Sequence, residues 1–443
     1  MIPLGFLMLI LIGTGLLMLP FSTASGEKTD FLTALFTSTT STCVTGLVVV
    51  DTYSHWTVFG QVVILFLIQF GGLGIIAVAS AVILALKKKF SFREGLLLRD
   101  AFNLNTGSGL VRFLLRVIRG VFIVEGLGTL LYLPAFIPEF GVKGIWISLF
   151  TSISAFCNAG LDIIGPNSLA AFQGNPLVLI VTICLIVTGG LGYVVWFDLS
   201  TNLLDTAKNR RPFFRLFSRL SEHTKVVLVM TAVLIFGGAV AVFFMEFRNP
   251  ETLGSMSFGE KVLNSLFQSV TFRTAGFATI PQESLTHGTG ILGLVFMFIG
   301  GSPIGTAGGV KTVTVALLFL NVISFILDRK ETLAFRRSVP ETLIRKATAI
   351  VSVSLAVTLV FSVLLAATNG LSGLDALYEI TSATATVGLS RAVTPTLNVI
   401  GRIIIIICMF FGRIGPISMA LFFSAGLSKT KRITHADGNF FVG

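Results

Sequence analysis

Four loops that end on a glycine recur along this sequence at nearly equal intervals. The glycines are separated by 114, 116 and 112 residues, and each is followed by Leu or Phe; they are Gly46, Gly160, Gly276 and Gly388. A period this long, with the same small polar loop in the same place, predicts one structural unit used four times. Four copies around one axis would form a ring, and a ring of loop carbonyls is one way to replace the hydration shell of a cation.

The composition places this repeated unit in a membrane. Of 443 residues, 53% are hydrophobic and only 12% are charged, and the mean hydropathy is +0.91. Such a chain is a polytopic membrane protein. The first apolar run lacks a basic leader region and a clear cleavage site, so we interpret it as a transmembrane helix. The four cysteines show neither a disulfide framework nor metal-ligand spacing.

Apolar runs long enough to span a bilayer occur eight times, near 2–20, 57–86, 111–136, 176–200, 224–246, 288–327, 344–367 and 396–426. Between the members of each pair lies a shorter segment that ends near a glycine, at about 30–42, 145–157, 259–272 and 373–384. A helix of about a dozen residues covers only about 18 Å, so it enters a bilayer without crossing it. We therefore predict an all-α membrane protein with eight transmembrane helices and four re-entrant pore helices around one pseudo-fourfold pore. The predicted repeats are 1–90, 91–205, 206–335 with a broken second helix, and 336–430, followed by a C-terminal tail at 431–443.

Basic residues predict the orientation of the chain. The linkers between repeats carry eight, six and six Lys or Arg, and three more lie in the tail, whereas the segments with the glycine loops carry six in all. By the positive-inside rule, both termini are cytoplasmic and the glycine loops open outward, as in a multi-pass protein of the cell membrane. The net charge of +11 therefore reports topology and not nucleic-acid binding. The basic linkers also suit anionic lipid headgroups or an acidic partner.

The residues around the four glycines are the candidate ion-binding residues. Glycine reaches the backbone angles that turn carbonyls toward an axis, and a pore helix aims the negative end of its dipole at the ion. The predicted filter comprises Thr42, Cys43, Val44, Thr45 and Gly46; Phe156, Cys157, Asn158, Ala159 and Gly160; Thr274, Ala275 and Gly276; and Thr384, Ala385, Thr386, Val387 and Gly388.

A second glycine cluster lies 24 to 29 residues after each filter glycine. In the first two repeats, at Gly71–Gly74 and Gly189–Gly192, close helix packing is an adequate explanation. In the third repeat, five glycines and a proline between 300 and 309 oppose a helix, so we predict an intramembrane loop, with a simple kink as the alternative. The predicted gate residues are Gly300, Gly301, Ser302, Pro303, Gly305, Thr306, Gly308, Gly309 and Lys311, together with Arg413 at the matching position of the fourth repeat. An arginine there would either repel cations or bond the loop carbonyls.

These motifs resemble the superfamily of Trk, Ktr and plant high-affinity potassium transporters, and the chain is most similar to the Ktr-type membrane subunits. The resemblance covers essentially the whole chain and implies potassium transport, with the family's filter glycines at the four positions above. It also implies that the loop and the arginine act as the gate. A cytosolic ring of nucleotide-binding regulatory subunits and a homodimer are implied as partners. The apolar residues 440–442 would either dock at that dimer interface or pack locally.

Arg273 departs from an otherwise neutral filter. A cation that pointed into the pore would repel potassium, so we expect this side chain to point behind the loop and brace it. Glu379, at the start of the fourth pore helix, is the candidate partner.

Other functions remain as alternatives. The same fold can move sodium or another monovalent cation, and a secondary transporter with broken helices would need inverted repeats and intramembrane carboxylates, for which Glu125 is the main candidate. The four histidines form no catalytic constellation, so we do not expect an enzyme. Potassium is expected as the transported ion, with no other cofactor.

Overall fold

The computed structural model describes residues 2–74, 110–210, 212 and 215–415 of the chain. Within these ranges the fold is mostly helical, with one small hairpin that pairs Leu333–Ala334 with Arg337–Ser338. Parts of the predicted spans 57–86 and 396–426, and the tail with residues 440–442, lie outside the described residues.

Each repeat consists of a first helix, a short pore helix and a second helix. The first helices are Ile2–Leu17, Leu110–Phe140, Glu222–Glu246 and Glu341–Asn369. The pore helices are Phe31–Cys43, Lys143–Cys157, Phe258–Thr271 and Gly373–Thr384. The second helices are Val58–Leu73, Pro176–Gly190 continued by Tyr193–Lys208, His287–Phe298 continued by Thr312–Ile326, and Val399–Ile414. Short helical turns occur at Pro20–Ser22, Thr52–His55, Ser168–Phe172, Leu216–Arg219 and Thr394–Thr396.

The described part of the chain contains three single helices long and apolar enough to cross a membrane, and a fourth if the bent pair of repeat 2 counts as one span. Other apolar helices are shorter, partly because the second helices are interrupted. Large apolar side chains such as Phe244, Phe325 and Val363 are exposed on the outer surface of the bundle. That surface suits contact with lipid rather than water.

Local sequence explains where the pore helices begin. Asp30, Ser257 and Ser372 accept hydrogen bonds from the first backbone amides of three of them. Such caps satisfy amides that have no partner within the helix. At Ser257 the cap is reciprocal, since Glu260 accepts a bond from the backbone amide of Ser257.

The helices close into a ring. The second helix of each repeat packs against the pore helix of the next repeat, and the second helix of the fourth packs against the pore helix of the first. The four repeats therefore surround one axis in chain order, and the C-terminal ends of the pore helices converge on it. This arrangement brings together loops that lie more than a hundred residues apart.

Candidate ion pathway

The four filter loops share one backbone conformation. Two residues before each glycine the chain adopts a left-handed conformation, with φ between 51° and 66°, at Val44, Asn158, Thr274 and Thr386. The glycines themselves have φ between 65° and 99°. Residues with a side chain rarely adopt the φ of the filter glycines. The recurrence of glycine in the sequence therefore follows from the recurrence of this loop conformation.

Each filter glycine faces a carbonyl oxygen of the next loop. A methyl group placed on Gly46 would lie 2.5 Å from the oxygen of Ala159, and one on Gly160 would lie 2.7 Å from the oxygen of Ala275. On Gly276 it would lie 2.6 Å from the oxygen of Val387. On Gly388 it would collide with the oxygen of Thr45, which closes the ring. Four backbone oxygens and four glycines therefore surround a narrow opening that leaves no room for a side chain.

Hydroxyl groups of the pore helices hold two of these loops. The backbone amide of Gly46 donates to Thr40 Oγ1 at 3.0 Å, and that of Gly388 donates to Ser382 Oγ at the same distance. The matching residue is Ser154 in the second loop, where the hydroxyl has no partner, and Val270 in the third. In the third loop Thr271 Oγ1 instead donates to the carbonyl of Phe277 at 2.6 Å. The four filter loops therefore share one backbone conformation but differ in the hydrogen bonds that hold them.

Not every predicted filter residue contributes to the ring. The carbonyls of Thr42, Phe156 and Thr384 face glycines of the second helix in their own repeat, namely Gly71, Gly189 and Gly412. Cys43 and Cys157 end their pore helices and are fully buried. Ala385 is also buried, behind the fourth loop. These residues support the ring from behind.

A cavity of about 550 Å³ lies on one side of the ring, which we call the upper side, and is lined by all four filter glycines. Asp51, Asp162 and Glu283 are among the described residues that line it, and none of those residues is Lys or Arg. Burial raises the pKa of Asp162 to about 6; a hydrogen bond from Ser168 opposes the shift and the nearby Asp51 adds to it. Above that pH the cavity carries a negative potential that concentrates cations.

Glu379 braces the fourth loop, but it does not pair with Arg273. Its carboxylate accepts hydrogen bonds from the hydroxyl of Ser390 at 2.7 Å, the backbone amide of Arg391 at 2.9 Å and the hydroxyl of Thr394 at 2.5 Å. Among the described residues, no hydrogen bond or ion pair joins it to Arg273. The expected pairing is therefore wrong, because three donors that follow Glu379 in its own repeat already occupy its oxygens.

Arg391 ties the fourth loop to the third repeat. Its Nε donates to Asp375 at 2.8 Å, and its terminal nitrogens donate to the carbonyls of Gln282 at 3.0 Å and Glu283 at 3.1 Å. Burial raises the pKa of Asp375, but hydrogen bonds from Ser372 and Arg391 outweigh it and hold this pKa below its usual value. The sequence showed Arg391 only as one of the basic residues in the segments with the glycine loops, since its two carbonyl partners lie over a hundred residues away.

The segment between the two parts of the third repeat's second helix forms a folded loop below the ring. The helix ends at Phe298 and resumes at Thr312, and the backbone amide of Gly301 donates to the carbonyl of Gly308 at 3.2 Å. We call residues 300–311 the crossing segment. Gly308 lies against Thr386 of the fourth filter loop, and Gly309 has a φ of 67°.

The crossing segment is also bonded to the second repeat. Ser302 and Thr306 donate from their backbone amides to the carbonyls of Gly190 and Gly189, at 3.0 and 3.2 Å. Thr306 Oγ1 donates to the carbonyl of Phe156 at 3.1 Å. Gly305 packs against the backbone of Gly189 and Gly192, and Pro303 also lies next to Gly192. The Lys311 ammonium donates back to the carbonyl of Ala307 at 2.6 Å.

Arg413 reaches across the axis below the ring. One terminal nitrogen donates to the carbonyl of Thr306 at 2.6 Å, and the other donates to the carbonyls of Gly71 at 2.5 Å and Gly72 at 3.3 Å. Thr306 belongs to the third repeat and Gly71 to the first, and these repeats lie opposite each other in the ring. A guanidinium bonded to both places a positive charge below the ring, on the side opposite the acidic cavity.

The second-helix glycine clusters do more than permit close packing. The second repeat's helix bends by 101° between Gly190 and Tyr193, at Gly192 with φ of 89°. Gly74 and Gly415 have φ of 84° and end the helices of repeats 1 and 4 in the same way. The expectation of an unbroken helix at 176–200 is therefore wrong. The last glycine of each of these three clusters has a positive φ that an α-helix excludes.

Comparisons with known proteins agree with this architecture. Residues 5–432 match a family model described as TrkH, cation transport protein. The chain is 38% identical over 440 residues to the Ktr system potassium uptake protein B of Bacillus subtilis, covering 99% of this chain and 95% of that protein. It is 37% identical to the potassium/sodium uptake protein NtpJ of Enterococcus hirae, covering 93% and 89%. Its fold matches the potassium transporter TrkH from Vibrio parahaemolyticus with a TM-score of 0.73, at 17% identity and 94% and 84% coverage.

Proposed function

Because the chain belongs to the TrkH family of cation transport proteins, we propose that it takes up potassium through the central ring, as a channel-like pore. One observation carries this proposal most directly: each filter glycine faces a carbonyl oxygen of the next loop, and the fourth loop closes on the first. Backbone oxygens in such a ring replace the water around a monovalent cation. The family is one of transporters, and the protein is not an enzyme.

The transported ion is proposed from the filter and from the relatives together. All four filter positions are glycine, and one relative is named a potassium uptake protein. Another is named a potassium/sodium uptake protein, so sodium is the second candidate for the same pore. A secondary transporter is disfavoured because the four repeats follow one another around the axis in the same orientation.

The driving force in this proposal is the membrane potential. About 2.3 kcal/mol per 100 mV draws each monovalent cation inward, so the pore needs no coupled chemical cycle. The acidic cavity above the ring would gather cations, and the basic linkers would hold the termini on the cytoplasmic side.

We further propose that the crossing segment and Arg413 form the gate. The segment lies directly below the ring and bonds to the second repeat, while Arg413 fastens it to the first. In this closed arrangement the guanidinium blocks the inward exit both by its charge and by its position. Opening requires that the carbonyl of Thr306 leaves Arg413.

Regulation and assembly remain proposals by similarity. A Ktr-type relative at 38% identity supports a cytosolic nucleotide-binding ring as the partner that moves the gate, and a homodimer of this chain as the membrane unit. We propose the repeat boundaries 1–90, 91–205, 206–335 and 336–430, with the basic linkers near these boundaries as the surface to which such a ring docks. The tail at 431–443 is the proposed dimer contact.

Complementation tests the transported ion. A bacterium that lacks its own potassium uptake systems should grow at low potassium when it expresses this chain with a Ktr-type regulatory subunit. Gly46→Ser should abolish this growth, because a Cβ atom at this position would lie only 2.5 Å from the carbonyl oxygen of Ala159. Absence of growth despite expression in the membrane would contradict the proposal.

A further inference from the structure

We propose that Arg273 sets the affinity of the ring for its cation, through a positive charge that no acidic group neutralises. This inference rests on the proposed function and concerns how tightly the same ring holds its ion. Arg273 lies three residues before Gly276, at the end of the third pore helix. The matching residues of the other repeats are neutral, namely Cys43, Cys157 and Ala385.

The guanidinium is buried without a counter-charge. Arg273 is 7% exposed, and its Nε has no hydrogen-bond partner. Across the described residues, its side chain forms no ion pair, and Glu379 is saturated by its own loop. A buried arginine is normally paired, because an unpaired charge in a low-dielectric region is costly. An arginine retained at such a cost is a candidate for function.

The surroundings of Arg273 solvate its charge without cancelling it. It borders a small cavity of about 10 Å³, enough for one water molecule. The cavity is lined by Thr231 of the third repeat's first helix, by Asn158 and Gly190 of the second repeat, and by Gly301 of the crossing segment. Thr231 Oγ1 is also buried without a partner. All of the other described residues that line the cavity are neutral, so a bound water can satisfy hydrogen bonds there but leaves the positive charge intact.

A fixed positive charge beside the third filter loop raises the free energy of a cation bound in the ring. Two unit charges about 12 Å apart in an effective dielectric constant of about 20 repel each other by about 1.4 kcal/mol, which corresponds to about a tenfold change in binding. Conduction requires that a bound ion can leave the ring as well as enter it. This ring has only one filter glycine in each loop. Arg273 thus acts as a positioning residue, and its charge lowers the affinity of the single ring of filter glycines for the cation.

Two substitutions that remove the uncompensated charge by different means test this role. Arg273→Gln deletes the charge, and Thr231→Asp places a carboxylate in the cavity beside it without breaking an existing hydrogen bond of Thr231. Both should lower the half-saturating potassium concentration of uptake about tenfold. Arg273→Lys and Thr231→Asn are the matched controls, since the first keeps the charge and the second adds a polar group without one. Neither control should lower that concentration.

Uptake rates are measured in proteoliposomes against external potassium and, in parallel, sodium, with size-exclusion chromatography as the folding check. A merely structural role for Arg273 predicts that substitutions raise the half-saturating concentration or reduce the maximal rate. An unchanged or raised value in folded Thr231→Asp overturns the inference, even if Arg273→Gln does not fold. If the wild type moves sodium and not potassium, the proposed function fails, and the same shift measured for sodium still decides the role of Arg273.

Discussion

Replacement of Arg413 by alanine should open the pore. In the structure this guanidinium makes three hydrogen bonds to carbonyls of the crossing segment and of the first repeat, two of them at 2.5 and 2.6 Å. A hydrogen bond that involves a charged group contributes about 1.5 to 3 kcal/mol. Loss of the two short bonds alone therefore removes about 3 kcal/mol from the closed state. Since every 1.4 kcal/mol is about a factor of ten, the ratio of closed to open pores should fall about a hundredfold.

The assay is cation flux from proteoliposomes loaded with potassium and diluted into potassium-free medium with a protonophore. Proton entry that balances potassium efflux is read with a pH-sensitive dye. Arg402→Ala is the matched control, because Arg402 lies near the N-terminal end of the same helix, and its side chain donates only to the carbonyl of Leu397 within the described part of the chain. Arg413→Lys should give an intermediate flux, since lysine keeps the charge but loses the two-nitrogen contact. Unchanged or lower flux in a folded Arg413→Ala protein would refute the assignment of this residue to the closed gate.

Three further outcomes follow from the same geometry. Gly160→Ala should abolish uptake while leaving the protein in the membrane, as measured by potassium uptake and by expression level, since a methyl group there meets the backbone of Ala275 and Gly276 at about 2.7 Å; wild-type uptake would contradict the ring. Asp162 loses its negative charge as the pH falls through its raised pKa of about 6, so the half-saturating potassium concentration should rise about twofold between pH 7.5 and 5.5. Asp162→Asn should show the higher value at both pH values, and a variant with the wild-type pH profile would exclude this carboxylate as the cause. Arg391→Ala should lower the thermal unfolding temperature and weaken potassium selectivity together, measured by a melting curve and by competition with sodium, because it cuts the link to Gln282 and Glu283; an effect on neither would show that the brace is dispensable.

The features that repeat in the sequence are those that sequence reasoning could place. Each of the four filter glycines has a positive φ, and this backbone angle favours glycine at the same position of every repeat. The unequal glycine clusters likewise predicted the interruption after Phe298, because five glycines and a proline exclude a helix. The bend at Gly192 was missed because glycines in a transmembrane helix are equally well explained by close helix packing.

Contacts between distant repeats could not be read from the sequence. Glu379 is the candidate partner of Arg273 in the sequence analysis, whereas its actual hydrogen-bond donors follow it by 11 to 15 residues in its own repeat. The cavity beside Arg273 is lined by residues from five segments of two repeats, so no local sequence pattern predicts it. Arg391 shows the same limit, since its carbonyl partners come from the preceding repeat.

The position of a bound monovalent cation tests the central claim most directly. Thallium is an electron-rich substitute for potassium, and its anomalous scattering locates it in crystals of the protein. We predict thallium on the axis, coordinated by the carbonyls of Thr45, Ala159, Ala275 and Val387. Thallium bound instead near Glu125, with none on the axis, would contradict a carbonyl ring as the selective element and favour a carboxylate-based transport site.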